Sequence, residues 1–438
     1  MRRVLIVSYY FPPSGGPGVQ RVLKFVKYLR EFGYEPTVLT VEEGAFPQHD
    51  EELVTEIPPG VAIHRTRSLD PFGVYALLTG RSKKDAAMVG SVRREGGFIE
   101  RVASWVRANV FLPDARVGWV PFAVRAALRL HREQPFDVVF TSGPPHSVHL
   151  IGRKLKRKAG IPWVADFRDL WSDNNFYDEL PLTAAARRRD LLLERSVLTQ
   201  SDRVTTVSPD WKEVLLGKSR RVENEISVVY NGFDESDFST YAGSAKQNSG
   251  VFTLAHVGSL YESRNPKAVW VALKQLRQNG KLEHLRIRLV GAVGQQVRES
   301  ILYHGLEDVV EYVDYVSHSE AVHIMCEAAA LLLVIEPFKN DAGMITGKLY
   351  EYVASGSPVL AIGPLGGNAA NLLDETNAGR LFASEDVHAI SDFLLDQYES
   401  WVNGEPTMLP RPSDISRYTR NMQTGQLANV LNSVINSN

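Results

Sequence analysis

The feature that most constrains this chain is an alternation that runs through most of its length. Apolar runs at residues 2–10, 36–41, 61–66, 137–142 and 202–208, and again at 252–259, 285–291, 309–316, 330–335 and 359–362, are separated mainly by stretches of helical length and amphipathic spacing. Short runs that are apolar on both sides suit strands buried on both faces, and parallel strands need crossover connections that helices supply. The pattern therefore predicts an α/β protein of doubly wound, Rossmann-like parallel sheets. A polar, small-residue stretch at 241–250 divides it in two, which predicts domains over 1–235 and 250–412 and a terminal helix within 413–438, from residue 414 to 435. The alternation lapses in an insertion at about 70–118.

With 438 residues, 44% hydrophobic and 23% charged, the chain has the composition of a soluble globular protein with room for two or three domains. The lone cysteine, Cys326, excludes an internal disulfide and a cysteine-held zinc, which suits a reducing, cytoplasmic setting. The amino terminus reads as a first strand rather than a signal peptide, because its apolar run ends in Phe11-Pro12-Pro13-Ser14-Gly15-Gly16. No apolar run is long enough to span a bilayer. Residues 1–235 hold 34 Lys and Arg against 29 Asp and Glu, a net +5, so 15 against 22 remain for the rest, a net −7. That mild basicity suits a phosphate or the inner face of an anionic membrane as readily as ordinary solvation, and no nucleic-acid partner is implied.

Three stretches carry candidate chemistry. Between 336 and 363 a glycine-punctuated loop leads into a helix over about 346–354, a Ser-Gly-Ser-Pro stop and a strand. The start of such a helix offers unpaired N–H groups and the positive end of the peptide dipoles to a diphosphate; Gly343 and Gly347 allow close approach, and Lys348 adds a full charge. Glu351 shares the helix face of Lys348 and can accept hydrogen bonds from vicinal hydroxyls; the alternative is a surface ion pair. The first strand ends at Gly15 and Gly16, on the carboxyl edge where doubly wound folds bind ligands. A later strand ends in Asp166-Phe167-Arg168-Asp169, two carboxylates flanking an arginine, which reads as a site at the sheet edge or as a structural salt-bridge cluster.

Within the insertion, residues 98–111 place Phe98, Val102, Trp105, Val106 and Val110 on one helical face. This predicts a helix packed on its own domain. The alternative is an interfacial helix, assisted by Arg81-Ser82-Lys83-Lys84 and Arg93-Arg94, that seats the protein on a bilayer.

The segment from Thr346 to Pro358-Val359, with Glu351 seven residues before the proline, and the stretch Ile226-Ser227-Val228-Val229-Tyr230-Asn231-Gly232-Phe233-Asp234 resemble the retaining glycosyltransferases of family 4. The likeness extends over nearly the whole chain outside the insertion. It implies the GT-B fold, with two Rossmann-like domains facing across a cleft and a terminal helix that returns to the first. It also implies a nucleotide-diphosphate sugar as donor and a lipid-linked or saccharide acceptor, in cell-surface polysaccharide or glycolipid synthesis. Retention would come from front-face attack, with no metal and no cofactor, in keeping with the absence of an Asp-x-Asp motif. By resemblance, Gly15, Gly16, Gly258, Ser259, Gly291, Val316, Gly343, Met344, Ile345, Thr346 and Glu351 bind the donor. Arg264 and Lys348 steady the departing diphosphate, Arg168 and Asp169 stand where the family carries a histidine and an aspartate near the reacting sugar, and Asp166 and His146 lie on the acceptor side. The chain departs from the family pattern at Gly343, where a glutamate is usual, and at Ser259, where an arginine is usual, with Lys348 as the substitute cation. A nucleotide-sugar 2-epimerase of the same fold stays an alternative, and these departures also keep open a non-catalytic sugar-nucleotide-binding or scaffold protein.

Overall fold

The computed structural model describes residues 1–42, 44, 50–69, 98–174, 177–219, 221–239, 250–404 and 415–436. The basic clusters at 81–84 and 93–94 and most of the polar linker lie outside the described residues. Two compact units are present, Met1–Tyr230 with Arg420–Asn438, and Asn231–Thr419.

The first unit holds seven parallel strands: β1 (Arg2–Val7), β2 (Tyr34–Val41), β3 (Ala62–Thr66), β4 (Val138–Gly143), β5 (Trp163–Phe167), β6 (Arg203–Thr206) and β7 (Ile226–Val228). Their order is β3-β2-β1-β4-β5-β6-β7. The second unit holds six: β8 (Phe252–Val257), β9 (Leu285–Val290), β10 (Val310–Val313), β11 (Ala330–Val334), β12 (Val359–Ile362) and β13 (Gly379–Phe382), in the order β10-β9-β8-β11-β12-β13. In both sheets the first strand lies beside the fourth, and chain direction around the sheet reverses there. Crossovers leave that point on opposite faces, so the loops that follow the two strands part and open a crevice at the carboxyl edge. β13 escaped the sequence reading because its four residues carry too little pattern to register.

Both faces of each sheet are covered, which is why the strands read as apolar runs. Val4, Ile6, Val38, Val138, Phe140 and Val164 pack against Val22, Val26 and Leu29 in the first unit. Leu254, Ile287, Leu289, Leu332 and Leu360 pack against Trp270, Leu273 and Leu394 in the second. The terminal helix Arg420–Ile435 contributes Leu427, Ala428, Leu431 and Val434 to the core of the first unit. It starts six residues later than the spacing predicts; residues 411–414 are not described, and a single 3₁₀ turn at Ser416–Tyr418 precedes it.

One expectation is overturned. The helix Phe98–Val110 does not bury its apolar face in its own unit: Val102, Trp105, Val106 and Val110 are exposed, while the small residue Ala108 is buried. Helical periodicity identifies an apolar face but not what that face meets.

Candidate functional site

At the reversal point of the second sheet, the chain leaves β8 through Gly258 and leaves β11 through the loop that ends in the helix Gly347–Ser355. Gly258 has φ +133°, a conformation that side chains other than glycine rarely adopt. A Cβ there would overlap Lys348 Nζ and stand 2.8 Å from Lys348 Cε. The ammonium of Lys348 is thus laid directly against the backbone of Gly258, next to Ser259. Beside it Gly291, φ +106°, follows β9, and a Cβ on it would lie 3.0 Å from the Gly258 carbonyl oxygen. Gly258 N donates to Val290 O at 2.7 Å, and Gly291 N donates to Val313 O at 2.8 Å. These bonds carry the ladder past the strand ends and hold the glycine loops in register. Val316, half-buried, follows β10 one strand further out.

Lys348 is the second residue of its helix. Thr346 occupies the N-cap position but makes no capping bond, and its buried Oγ1 has no hydrogen-bond partner. Leu349 N already donates to Thr346 O at 3.1 Å, while the N–H groups of Gly347 and Lys348 at the start of the first turn have no helical carbonyl to bond and are left for a ligand. Burial lowers the Lys348 pKa while Glu351, one turn on, raises it. The preceding loop places Gly343 in a buried 3₁₀ turn, followed by half-buried Met344 and buried Ile345.

Arg264 ends a 3₁₀ turn, and its Nε lies 3.5 Å from Glu336 Oε2, with the two side chains 45% and 31% exposed. An ion pair so exposed stabilises the fold by about 1 kcal/mol at most. Glu336, two residues past β11, was not among the expected site residues, and its contact with Arg264 has no signal in the sequence. His256 was also missed. It is buried, its Nδ1 must donate to Leu332 O at 2.8 Å because a carbonyl only accepts, and its Nε2 is buried without a partner. Burial and the neighbouring Lys348 push its pKa down to about 4, so it is neutral at pH 7. The cationic charge at this edge rests on Lys348 and Arg264.

The first unit treats its expected residues differently. Gly15 is buried, and Gly16, φ +104°, precedes the helix Pro17–Tyr28 with open space where a side chain would stand. Asp166 is no acceptor-side carboxylate. It is fully buried and takes Arg21 Nε at 3.0 Å, Arg21 Nη2 at 2.8 Å, Ser142 Oγ at 2.6 Å and Thr205 Oγ1 at 2.7 Å. Four donors saturate its lone pairs. Arg168 is no reactive group either: buried, it donates from Nε to Gly143 O at 3.2 Å, from Nη2 to Pro144 O at 2.7 Å and from Nη1 to Gly18 O. It straps the loops after β1 and β4 together. Asp169, next along, is exposed and makes no hydrogen bond or ion pair with a described residue.

His146 stacks on Trp171 with centroids 5.0 Å apart and 12° between planes, and its buried Nδ1 has no partner. Next to it, His149 bonds Thr141 through Nδ1 at 2.9 Å, and its Nε2 is likewise unpartnered. Burial keeps both imidazoles neutral, His149 with a pKa of about 3. At 9% exposure, within a ring stack, His146 is a packing residue and not a group open to an acceptor.

Two family descriptions match the chain in sequence: "Glycosyl transferase 4-like domain" over residues 15–232 and "Glycosyl transferases group 1" over residues 251–400. The chain belongs to the family 4-type glycosyltransferases. No curated protein matches it in sequence. Among solved structures it is similar to sucrose-phosphate synthase from Thermosynechococcus elongatus, at 13% identity and TM-score 0.61, over 100% of both chains. A glycosyltransferase from Rickettsia africae is similar at 13% identity and TM-score 0.63, over 100% of this chain and 99% of that one. The Anabaena protein HepE, solved in complex with UDP-glucose, is similar at 15% identity and TM-score 0.59, over 99% of this chain and 100% of that one. These likenesses identify the fold as GT-B.

In this glycosyltransferase, Gly258→Ala is expected to lower turnover by about tenfold or more, because the methyl group displaces the Lys348 ammonium and φ is left-handed. Gly217→Ala, in the last turn of the helix Pro209–Lys218 with nothing within 4 Å of its Cβ, is the control and should leave rate and stability unharmed. Steady-state rates and thermal melts of the two variants make the comparison.

Proposed function

We propose that the enzyme transfers a sugar, with retention of anomeric configuration, from a nucleotide-diphosphate sugar to a hydroxyl of a lipid-linked or saccharide acceptor. The product would belong to a cell-surface polysaccharide or glycolipid. The observation that carries this reading is the seating of Lys348 Nζ on Gly258, beside the uncapped first turn of the Gly347–Ser355 helix. A cation and free N–H groups at one strand edge form a fixed anion site of the size of a phosphate group.

In this scheme the diphosphate lies against Lys348, Arg264 and the amides from Ile345 to Lys348, those of Gly343 and Met344 being engaged by Asn340 O and Asp341 O, in exchange for part of the hold of Glu336 on Arg264. Glu351 accepts from the ribose hydroxyls, and Ser259, Gly291, Val316, Met344, Ile345 and Thr346 line the donor. The C1–O bond to the diphosphate breaks, the acceptor oxygen bonds C1 on the same face, and the acceptor proton passes to the departing phosphate oxygen. Charge accumulates on the leaving group, so the cations and N–H groups are the main catalytic contribution, and no metal or cofactor is called for. Gly16, by the open space beside its backbone, with the buried Gly15 behind it, and Asp169, by its unengaged carboxylate, are the first unit's candidates for contact with donor phosphate and acceptor.

The test is incubation with a panel of nucleotide-sugars, with and without lipid extract, and with and without a chelator. Acceptor-dependent nucleotide release that survives chelation supports transfer. Acceptor-independent release of an epimerised sugar would make the protein an epimerase, and donor binding without turnover would make it a binding protein.

A further inference from the structure

The helix Phe98–Val110 is packed with its small side inward. Ala108 is buried, and Asn109 ties the helix to the segment that leads into the helix Ala184–Gln200 by donating to Pro181 O at 2.8 Å and accepting from Thr183 N at 2.7 Å. Thr183 is the N-cap of the helix Ala184–Gln200, so the Asn109 bonds fix the two helices to each other. The outward side of the first carries Val102, Trp105, Val106 and Val110, spaced one and two turns apart, with Trp105 48% and Val110 62% exposed. On the second, Leu191 and Leu192 are exposed, Leu192 by 57%. Six exposed apolar side chains on two joined helices form a surface that water alone covers poorly.

Charge on the same helices is one-sided. Arg188, Leu191, Leu192 and Arg195 follow helical spacing down one exposed face, and Arg189 and Arg101 are exposed beside the apolar chains. Both acids of the second helix are turned inward and engaged: Asp190 accepts from Trp171 Nε1 at 3.2 Å, and Glu194 accepts from Lys218 Nζ at 3.0 Å. Among the described side chains of the two helices, every exposed charge is an arginine. Apolar chains bordered by these arginines match the boundary between anionic headgroups and acyl chains, where tryptophan also settles.

We propose that this two-helix face is a docking surface for an anionic lipid bilayer. The apolar side chains enter the headgroup boundary and the arginines pair with lipid phosphates. This goes beyond the transfer reading and does not rest on it.

The test is co-sedimentation of the full chain with vesicles of phosphatidylcholine alone or mixed with phosphatidylglycerol, at low and high salt. Binding is expected to the mixed vesicles, to weaken with salt and to fall by about tenfold or more in Trp105→Ser/Val106→Ser and in Arg188→Glu/Arg189→Glu, with melting temperatures unchanged. With Trp105 present, brominated lipid should quench emission that the Trp105→Phe variant lacks. Equal binding by the variants, or no vesicle binding, overturns the proposal. Variant-sensitive capture of heparin or RNA without vesicle binding would overturn it in favour of another polyanion, and variant-sensitive dimerisation without vesicle binding in favour of a second copy of the chain.

Discussion

Lys348→Ala is expected to lower turnover by about a hundredfold or more, the usual scale for removing one group that stabilises charge developing at a reaction centre. The size of the effect follows from placement. The ammonium is partly shielded from water, it lies against Gly258 at the strand edge, and the neighbouring imidazole of His256 is held neutral and adds no charge to replace it. Arg264→Ala should cost less, because Arg264 is 45% exposed and already shares its charge with Glu336. The fold should tolerate both changes: the Lys348 side chain only rests on a glycine, and the Arg264 pair contributes little to stability. Single-turnover rates at saturating donor, with melting curves of each variant, check this. Rates near normal in both would remove these side chains from the mechanism.

The largest stability effect is expected at Asp166. Replacing it with alanine removes the carboxylate that pairs Arg21, which is buried at 1% exposure, and strips Ser142 and Thr205 of their acceptor. Breaking a buried pair in this way costs about 3–5 kcal/mol. For a unit of this size that is a fall of roughly 10 °C in melting temperature. Arg21 Nη1 also donates to Tyr230 O at 2.8 Å, so the loss reaches the last residue of the unit's main segment. Burial pushes the Asp166 pKa up, but the Arg21 charge and the bonds from Arg21, Ser142 and Thr205 outweigh it and hold the group below the ordinary aspartate value. A depressed carboxylate contributes stability that is present above its unfolded pKa and lost as pH falls through its folded one. The wild-type advantage over Asp166→Ala should therefore shrink in acid below about pH 4, which melts across pH will show. A variant as stable as the parent would mean that the Arg21 cluster is not what holds β4, β5 and β6 together at this edge.

The fold was legible because strands buried on both faces leave contiguous apolar runs, and twelve of the thirteen strands lie within or partly overlap stretches singled out in the sequence. The site was legible only where its parts are close in sequence, as along Gly343 to Glu351. That Lys348 rests on Gly258 joins residues ninety positions apart, and no local pattern reports it. Asp166 and Arg168 show the same limit from the other side. Two carboxylates and an arginine in a row fit a site or a scaffold equally, and the residue that decides for Asp166, Arg21, lies 145 positions away. For Arg168 the deciding partners are backbone carbonyls, which have no identity in sequence at all. His146 was read from its place at a strand end, and its stacking partner Trp171 lies on another loop.

The helix Arg420–Ile435 supplies core residues to a unit whose other 230 residues are made first. On the ribosome, that unit emerges without the part of its core that Leu427, Ala428, Leu431 and Val434 supply and stays incomplete while the whole of the second unit is synthesised. Trimming the chain before residue 420 would open the first unit rather than shorten the second, and a nascent chain that stalls at that point presents a greasy groove for chaperones and proteases to find.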